Sequence, residues 1–228
     1  MVLKNSEHLT YKGNLKQTRY GWLRLTPAYS VHLVSDILKN YKDKNLVVLD
    51  PFCGTGTTAL VCAEQGIEGI ESDTTDINPF LRWLAYAKTN SYSVEDIRAF
   101  EECSHVLVEK ISISQIETSW VPPLHQIEKW WDEKTLATLS SIIKNINLIE
   151  NSISSQTSSL LKLAFCRLMI ERANVSFGHQ SMSFQKNTPP KYPLLEMLEN
   201  PIILQWKEIF HIIKQSASSY YSTARFSL

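Results

Sequence analysis

Glycine is scarce in this sequence, 7 of 228 residues, against ordinary usage near ~7%. That scarcity leaves little room for a turn-rich all-β chain and favours helices. No uninterrupted apolar run approaches the roughly 18 residues of a membrane span. The first residues do not form a secretory signal, because Lys4, Glu7, His8 and Lys12 break up any apolar stretch. Charge is balanced, with 23 Lys+Arg against 23 Asp+Glu, so no global field draws the chain towards nucleic acid or a membrane. Binding to DNA would need a local basic surface or a partner that supplies one. The four cysteines, Cys53, Cys62, Cys103 and Cys166, show neither CxxC spacing nor histidines at zinc-ligand spacing. Reduced thiols, no metal site and a cytoplasmic location are the expectation.

What is present is concentrated in the first hundred residues. After Pro27, Val31, Val34, Ile37 and Leu38 recur on one helical face opposite Asp36, Lys39 and Asn40, with Ser30 as the cap candidate. Leu46-Val47-Val48-Leu49 is the short apolar run of a strand buried on both faces. A glycine turn follows, then a helix from Thr57 to Glu64, with Gly66 as a C-cap candidate. A second strand falls between Ile67 and Ile77, and a further helix spans Phe80 to Lys88. Strand, turn, helix, strand, helix is the opening of a doubly wound α/β domain.

Beyond residue 90 the pattern is helical, over 94–110, 126–149, 158–173 and 195–214. Only 105–113 competes as a strand, and the serine-rich 151–159 reads as a loop. The expected organisation is an N-terminal arm over 1–20, an α/β half over 21–118, and a helical region over 119–228. The tail from Ser216 is polar, either disordered or docked on a partner. Two parallel strands do not make an independent doubly wound sheet, which typically needs about five or more. Either further strands lie in the later segments or another piece of protein completes the sheet.

The chemistry centres on Asp50-Pro51-Phe52-Cys53-Gly54-Thr55-Gly56-Thr57-Thr58. Gly54 and Gly56 permit a sharp turn and close backbone approach to a ligand. The helix N-terminus behind them offers free N–H groups. Asp76 lies 22 positions after Gly54, at the end of the second strand, where a carboxylate can accept hydrogen bonds from ribose hydroxyls. Asn78, Pro79 and Phe80 follow, placed to flank an adenine, and Phe52 and Ile77 offer apolar walls. A phosphate-gripping loop is excluded, since no GK[ST] follows the glycines.

The run LDPFCGTGTT followed by DINP resembles motifs I and II of the DNA amino-methyltransferases, which methylate exocyclic nitrogens of adenine or cytosine. Arg24 to Ser30 resembles their motif X. The resemblance covers residues 20–90 and implies a partial Rossmann-like sheet of the class I methyltransferase type. It also implies S-adenosylmethionine as cofactor. By position, Thr26, Pro27 and Tyr29 would line its methionine end, Asp50 to Thr58 its methionine and ribose, and Asp76 its ribose. Two later stretches, Trp120 to Trp131 and Arg172 to His179, are similar to segments of some of these enzymes.

The family's catalytic motif, [DNS]-P-P-[YFW], holds the target amine and stacks on the flipped base. Here only Val121-Pro122-Pro123-Leu124 and Thr188-Pro189-Pro190-Lys191 approach it, and neither has the required residue on either side of the prolines. No catalytic residue is therefore assigned. Cys53 is set aside as a nucleophile because it sits inside the cofactor turn. The expectation is the cofactor-binding subunit of a split, site-specific DNA methyltransferase of a restriction–modification system. A second polypeptide would carry an SPPY-type motif, and the substrate would be double-stranded DNA. Lys129, Lys134, Lys144, Lys162, Arg167 and Arg172 form a candidate DNA-facing set. An RNA guanine-N2 methyltransferase fragment and a non-catalytic scaffold of this fold are the alternatives.

Overall fold

The computed structural model describes residues 14, 19–23, 25, 28–41, 46–65, 70–113, 121–176, 183–184, 199–218 and 225–227. The chain divides into two units, Met1–Val94 with Gln215–Leu228, and Glu95–Lys214.

In the first unit, helix α1 (Val31–Lys39) starts where Ser30 Oγ accepts the His32 amide at 3.2 Å, as its cap position predicts. Strand β1 (Leu46–Asp50) leads through the glycine turn into helix α2 (Thr57–Gln65) and then strand β2 (Ile70–Thr74). The strands are parallel, from Leu46 opposite Ile70 to Asp50 opposite Thr74, so a crossover helix is obligatory between them. Val31 and Leu38 of α1 pack on Leu60, Val61 and Cys62 of α2, with Tyr20 and the half-buried Val48. Leu60 is fully buried, and truncating such a side chain to alanine costs roughly 2–5 kcal/mol. The pleat sends the neighbours of Val48 the other way, leaving Val47 71% and Leu49 69% exposed. Helix α3 (Pro79–Thr89) opens with Asn78 Oδ1 accepting the Phe80 amide and proline in its first turn.

The second unit is helical. Helix α4 (Val94–Ile113) is helical throughout, so 105–113 is not a strand. Its apolar residues repeat at helical spacing, and Phe100, Leu107 and Ile111 are buried. The short α5 (Ile127–Trp130) precedes α6 (Glu133–Ile149), capped by Asp132, and α7 (Ser155–Glu171), capped by Ser154. The serine-rich stretch read as a loop thus contains a helix start. Ser154 Oγ accepts the Thr157 amide, and Thr157 to Ser159 are buried in the first turns. The two-residue strands β3 (Val175–Ser176) and β4 (Ser183–Phe184) pair antiparallel. Helix α8 (Pro201–Ser218) contributes Trp206, Ile209, Phe210 and Ile213 to this unit's core, and the Trp206 indole donates to Ser104 Oγ at 2.8 Å.

Strand β5 (Arg225–Ser227) returns the chain to the first unit, parallel to β2, and gives the order β1-β2-β5. The tail is therefore neither wholly loop nor irregular, and strands after residue 90 do exist. They are too short, at two or three residues, to leave a hydrophobic period. Residues 1–20 are likewise not all an arm. Arg19 and Tyr20 are buried, in a 3-10 turn over Arg19–Gly21. The guanidinium of Arg19 donates to the carbonyls of Lys88 (3.0 Å), Asn90 (2.5 Å) and Ala217 (3.1 Å). These are carbonyls at the C-terminal ends of α3, including its cap residue Asn90, and of α8, where partial negative charge gathers. One buried cation thus caps two helix C-termini. The fold is largely helical with a three-stranded parallel sheet. Among the described residues the full width of a doubly wound sheet is not formed.

Candidate cofactor site

At the carboxyl ends of β1 and β2 the backbone is tied into one loop cluster. The Cys53 amide donates to the Thr75 carbonyl at 2.9 Å, and the Thr75 amide donates to Asp50 O at 3.0 Å. The Gly56 amide returns to Cys53 O at 2.8 Å, closing the turn. Gly54 and Gly56 both have left-handed backbones, φ 49° and 77°, a region that disfavours any residue with a Cβ. At Gly56 there is also no space, since a Cβ there would lie 2.8 Å from the Ala85 Cα of α3.

Asp76 joins the two loops. Its Oδ2 accepts the Gly54 amide at 3.0 Å, and its Oδ1 accepts the Asn78 amide at 2.8 Å. An ionised carboxylate has about four lone-pair positions, so acceptor capacity remains for a ligand's hydroxyls. Asp50 plays the matching part on β1. Its Oδ1 accepts the Phe52 amide at 3.1 Å and its Oδ2 the Tyr29 hydroxyl at 2.8 Å. Because the Tyr29 hydroxyl donates its hydrogen bond to Asp50, the Thr58 hydroxyl donates to the tyrosine oxygen. Burial pushes the Tyr29 hydroxyl up to about 12, and the adjacent Asp50 carboxylate adds to it. Tyr29 therefore stays protonated and fixes the segment ahead of α1 onto the loop.

A cleft of about 490 Å³ opens here, lined by Ala28, Tyr29, Phe52, Cys53, Gly54, Thr55, Thr57, Asp76 and Leu81. That size suits a small-molecule ligand. Seven of the residues singled out from sequence line it. Asp50, Gly56 and Thr58 stand behind it as supports. Pro51 and Ile77 are exposed beside it, while Asn78 and Pro79 serve the start of α3. Thr26 and Pro27 lie outside the described residues. Ala28, within the stretch that resembles motif X, and Leu81, just past DINP, were not singled out from the sequence. Among the described residues no cluster of His, Cys, Asp or Glu is arranged to hold a metal, and no helix is long and apolar enough to cross a membrane.

In the second unit, two of the six basic candidates are paired with acids, Lys162 with Glu150 and Arg167 with Glu171. Arg172 reaches Gln205 Oε1 at 3.4 Å. Lys134 and Lys144 are exposed, and Lys129 stands 6.0 Å over the Phe184 ring. Pro122 and Leu124 line an apolar cavity of about 550 Å³ with Trp130, Trp131, Phe165 and Met169. Of this Pro-Pro pair, Pro122 thus faces an apolar cavity and Pro123 is exposed. Trp120, His179 and Thr188–Tyr192 lie outside the described residues.

Residues 8–97 match a DNA methylase family. The Type II methyltransferase M.BsoBI of Geobacillus stearothermophilus is 27% identical over 73% of this chain and 31% of its own length. M.AvaI of Nostoc sp. (strain PCC 7120) is 35% identical over 28% of this chain and 14% of its length, and M.MjaII of Methanocaldococcus jannaschii 35% over 29% and 12%. The chain thus spans less than a third of each of these relatives. No solved structure matches. Residues 8–97, which contain the whole glycine-loop cluster, are therefore similar to DNA methylases.

Proposed function

We propose that this chain is the S-adenosylmethionine-binding part of a Type II-like DNA amino-methyltransferase in a restriction–modification system, completed by a second polypeptide. The observation that carries the cofactor assignment is the cleft over two left-handed glycines with Asp76 at the second strand's end. The residues fit the group. The remaining lone pairs of Asp76 suit a ribose diol, Phe52 and Leu81 offer apolar contact to a base, and Gly54 to Thr57 let the backbone approach. Tyr29, held by Asp50 and Thr58, closes the opposite side. When bound, the cofactor supplies an electrophilic methyl group. This chain's own residues hold and orient the donor, which is where alignment contributes to such a transfer.

Two observations support an acceptor half outside these 228 residues. No [DNS]-P-P-[YFW] stretch occurs in the sequence. β1 is also an edge strand among the described residues, with Val47 and Leu49 bare. Exposed apolar sheet is a hazard unless covered. The acceptor half, with its amine-binding motif and the rest of the sheet, belongs against this strand.

Transfer of labelled methyl groups to double-stranded DNA tests the proposal. The chain alone is expected to give none, and the chain mixed with an SPPY-bearing polypeptide encoded beside it to give transfer. Robust methylation by the chain alone would rule out the split arrangement.

A further inference from the structure

Lys88 is the side chain that neither the motifs nor the cleft accounts for. It lies in the last turn of α3, is 2% exposed, and is fully enclosed by protein. Burying an ammonium group is costly unless it is paired and hydrogen-bonded, and among the described residues no carboxylate pairs with it. Its Nζ instead donates to two main-chain carbonyls, Thr55 at 3.2 Å and Tyr20 at 3.4 Å.

Thr55 is the residue between the two left-handed glycines, and it lines the cleft. Ala85, one turn earlier on the same face of α3, is the residue against which Gly56 is pressed. Two consecutive loop positions are therefore set by one helical face, Gly56 by the close approach of Ala85 and Thr55 by the Lys88 ammonium group. The peptide linking Thr55 to Gly56 has its oxygen bound by Lys88 and its N–H bound by Cys53 O, so both of its polar ends are held.

We propose that Lys88 is a positioning residue of the donor site, anchoring the Thr55 carbonyl from beneath so that the loop is pre-shaped to receive the cofactor. The inference rests on the cofactor assignment made above. It adds that the loop is not self-supporting: the glycines permit its shape, and the buried lysine selects it. Preorganisation of this kind raises affinity by sparing the ordering cost on binding. The Lys88 amine touches no substrate and takes no part in the chemistry.

Lys88→Met keeps the length of the side chain and removes its donors. Calorimetric titration with S-adenosylmethionine and a parallel thermal melt are expected to separate two effects. The Kd weakens at least tenfold, while Tm, measured below pH 7 where the amine is charged, holds or rises because a buried charge has gone. Lys88→Gln, which restores one donor, is expected to recover part of the affinity, and it carries the test if the methionine variant does not fold. A folded variant that binds within twofold of the parent overturns the inference. If the parent itself binds no S-adenosylmethionine, the cofactor assignment fails instead, so the two failures are distinguishable.

Discussion

A side chain on Gly56 would meet the backbone of Ala85, with a Cβ standing 2.8 Å from the Ala85 Cα, whereas a Cβ on Gly54 would meet only the Phe52 carbonyl oxygen, at an unstrained 3.9 Å. Both glycines have positive φ, so both carry backbone strain on substitution, but only one also carries a clash. Gly54→Ala is expected to cost about 1–2 kcal/mol of stability. Gly56→Ala adds overpacking and is expected to cost about 2–4 kcal/mol. Urea denaturation of the two variants checks the order, and equal losses would mean that α3 does not press on the loop.

Asp76 holds the Gly54 and Asn78 amides with separate oxygens. Asp76→Asn keeps one acceptor and turns an NH₂ towards an amide donor, breaking one of the two bonds. A stability loss of about 1–3 kcal/mol is expected, with at least a tenfold loss of S-adenosylmethionine affinity by calorimetry. Unchanged affinity would separate Asp76 from the ligand and leave it a purely structural clasp.

Burial pulls the Lys88 amine down to about 7 from its ordinary value near 10.5. Below pH 7 it is charged in both the folded and unfolded chain. Between 7 and 10.5 the unfolded chain keeps a proton that the folded chain has released, so stability rises with pH. The slope is at most about 1.4 kcal/mol per pH unit. Cys62 and Cys166, both pushed up to about 11 by burial, act in the opposite sense only as their ordinary range near 9 is reached. Urea midpoints at pH 7.0 and 8.5 are expected to rise for the parent relative to Lys88→Met. Parallel pH curves for the two proteins would contradict this.

Val47 and Leu49 are bare on β1. Glutamate at both positions is expected to raise the solubility of the chain alone, with its melting temperature within a few degrees. The same change is expected to abolish methylation in the reconstituted mixture by placing charge in an apolar interface. Full activity of the double variant would move the partner elsewhere.

The residues that line the cleft were legible because their signals are local. An apolar strand, two glycines and an acid just past the next strand's end each have a mechanical reason to recur at fixed spacing. DINP was legible for a partly different reason than expected, since Asn78 and Pro79 also make an N-cap and first turn. Arg19 and Lys88 were not legible, because both read as surface residues by type. Only the tertiary fold brings the C-terminal carbonyls of α3 and α8 to Arg19, and the Thr55 carbonyl to Lys88. Strands β3, β4 and β5 were missed because their partners, and not a hydrophobic period, define them. The start of α7 was hidden by serines that serve as cap and first turn.

Titration of the purified chain with S-adenosylmethionine by isothermal calorimetry bears most directly on the central claim. Saturable one-to-one binding is expected, weakened at least tenfold by Asp76→Asn. No heat of binding at millimolar cofactor, from a chain that melts cooperatively, would contradict the assignment of this cleft as a methyl-donor site.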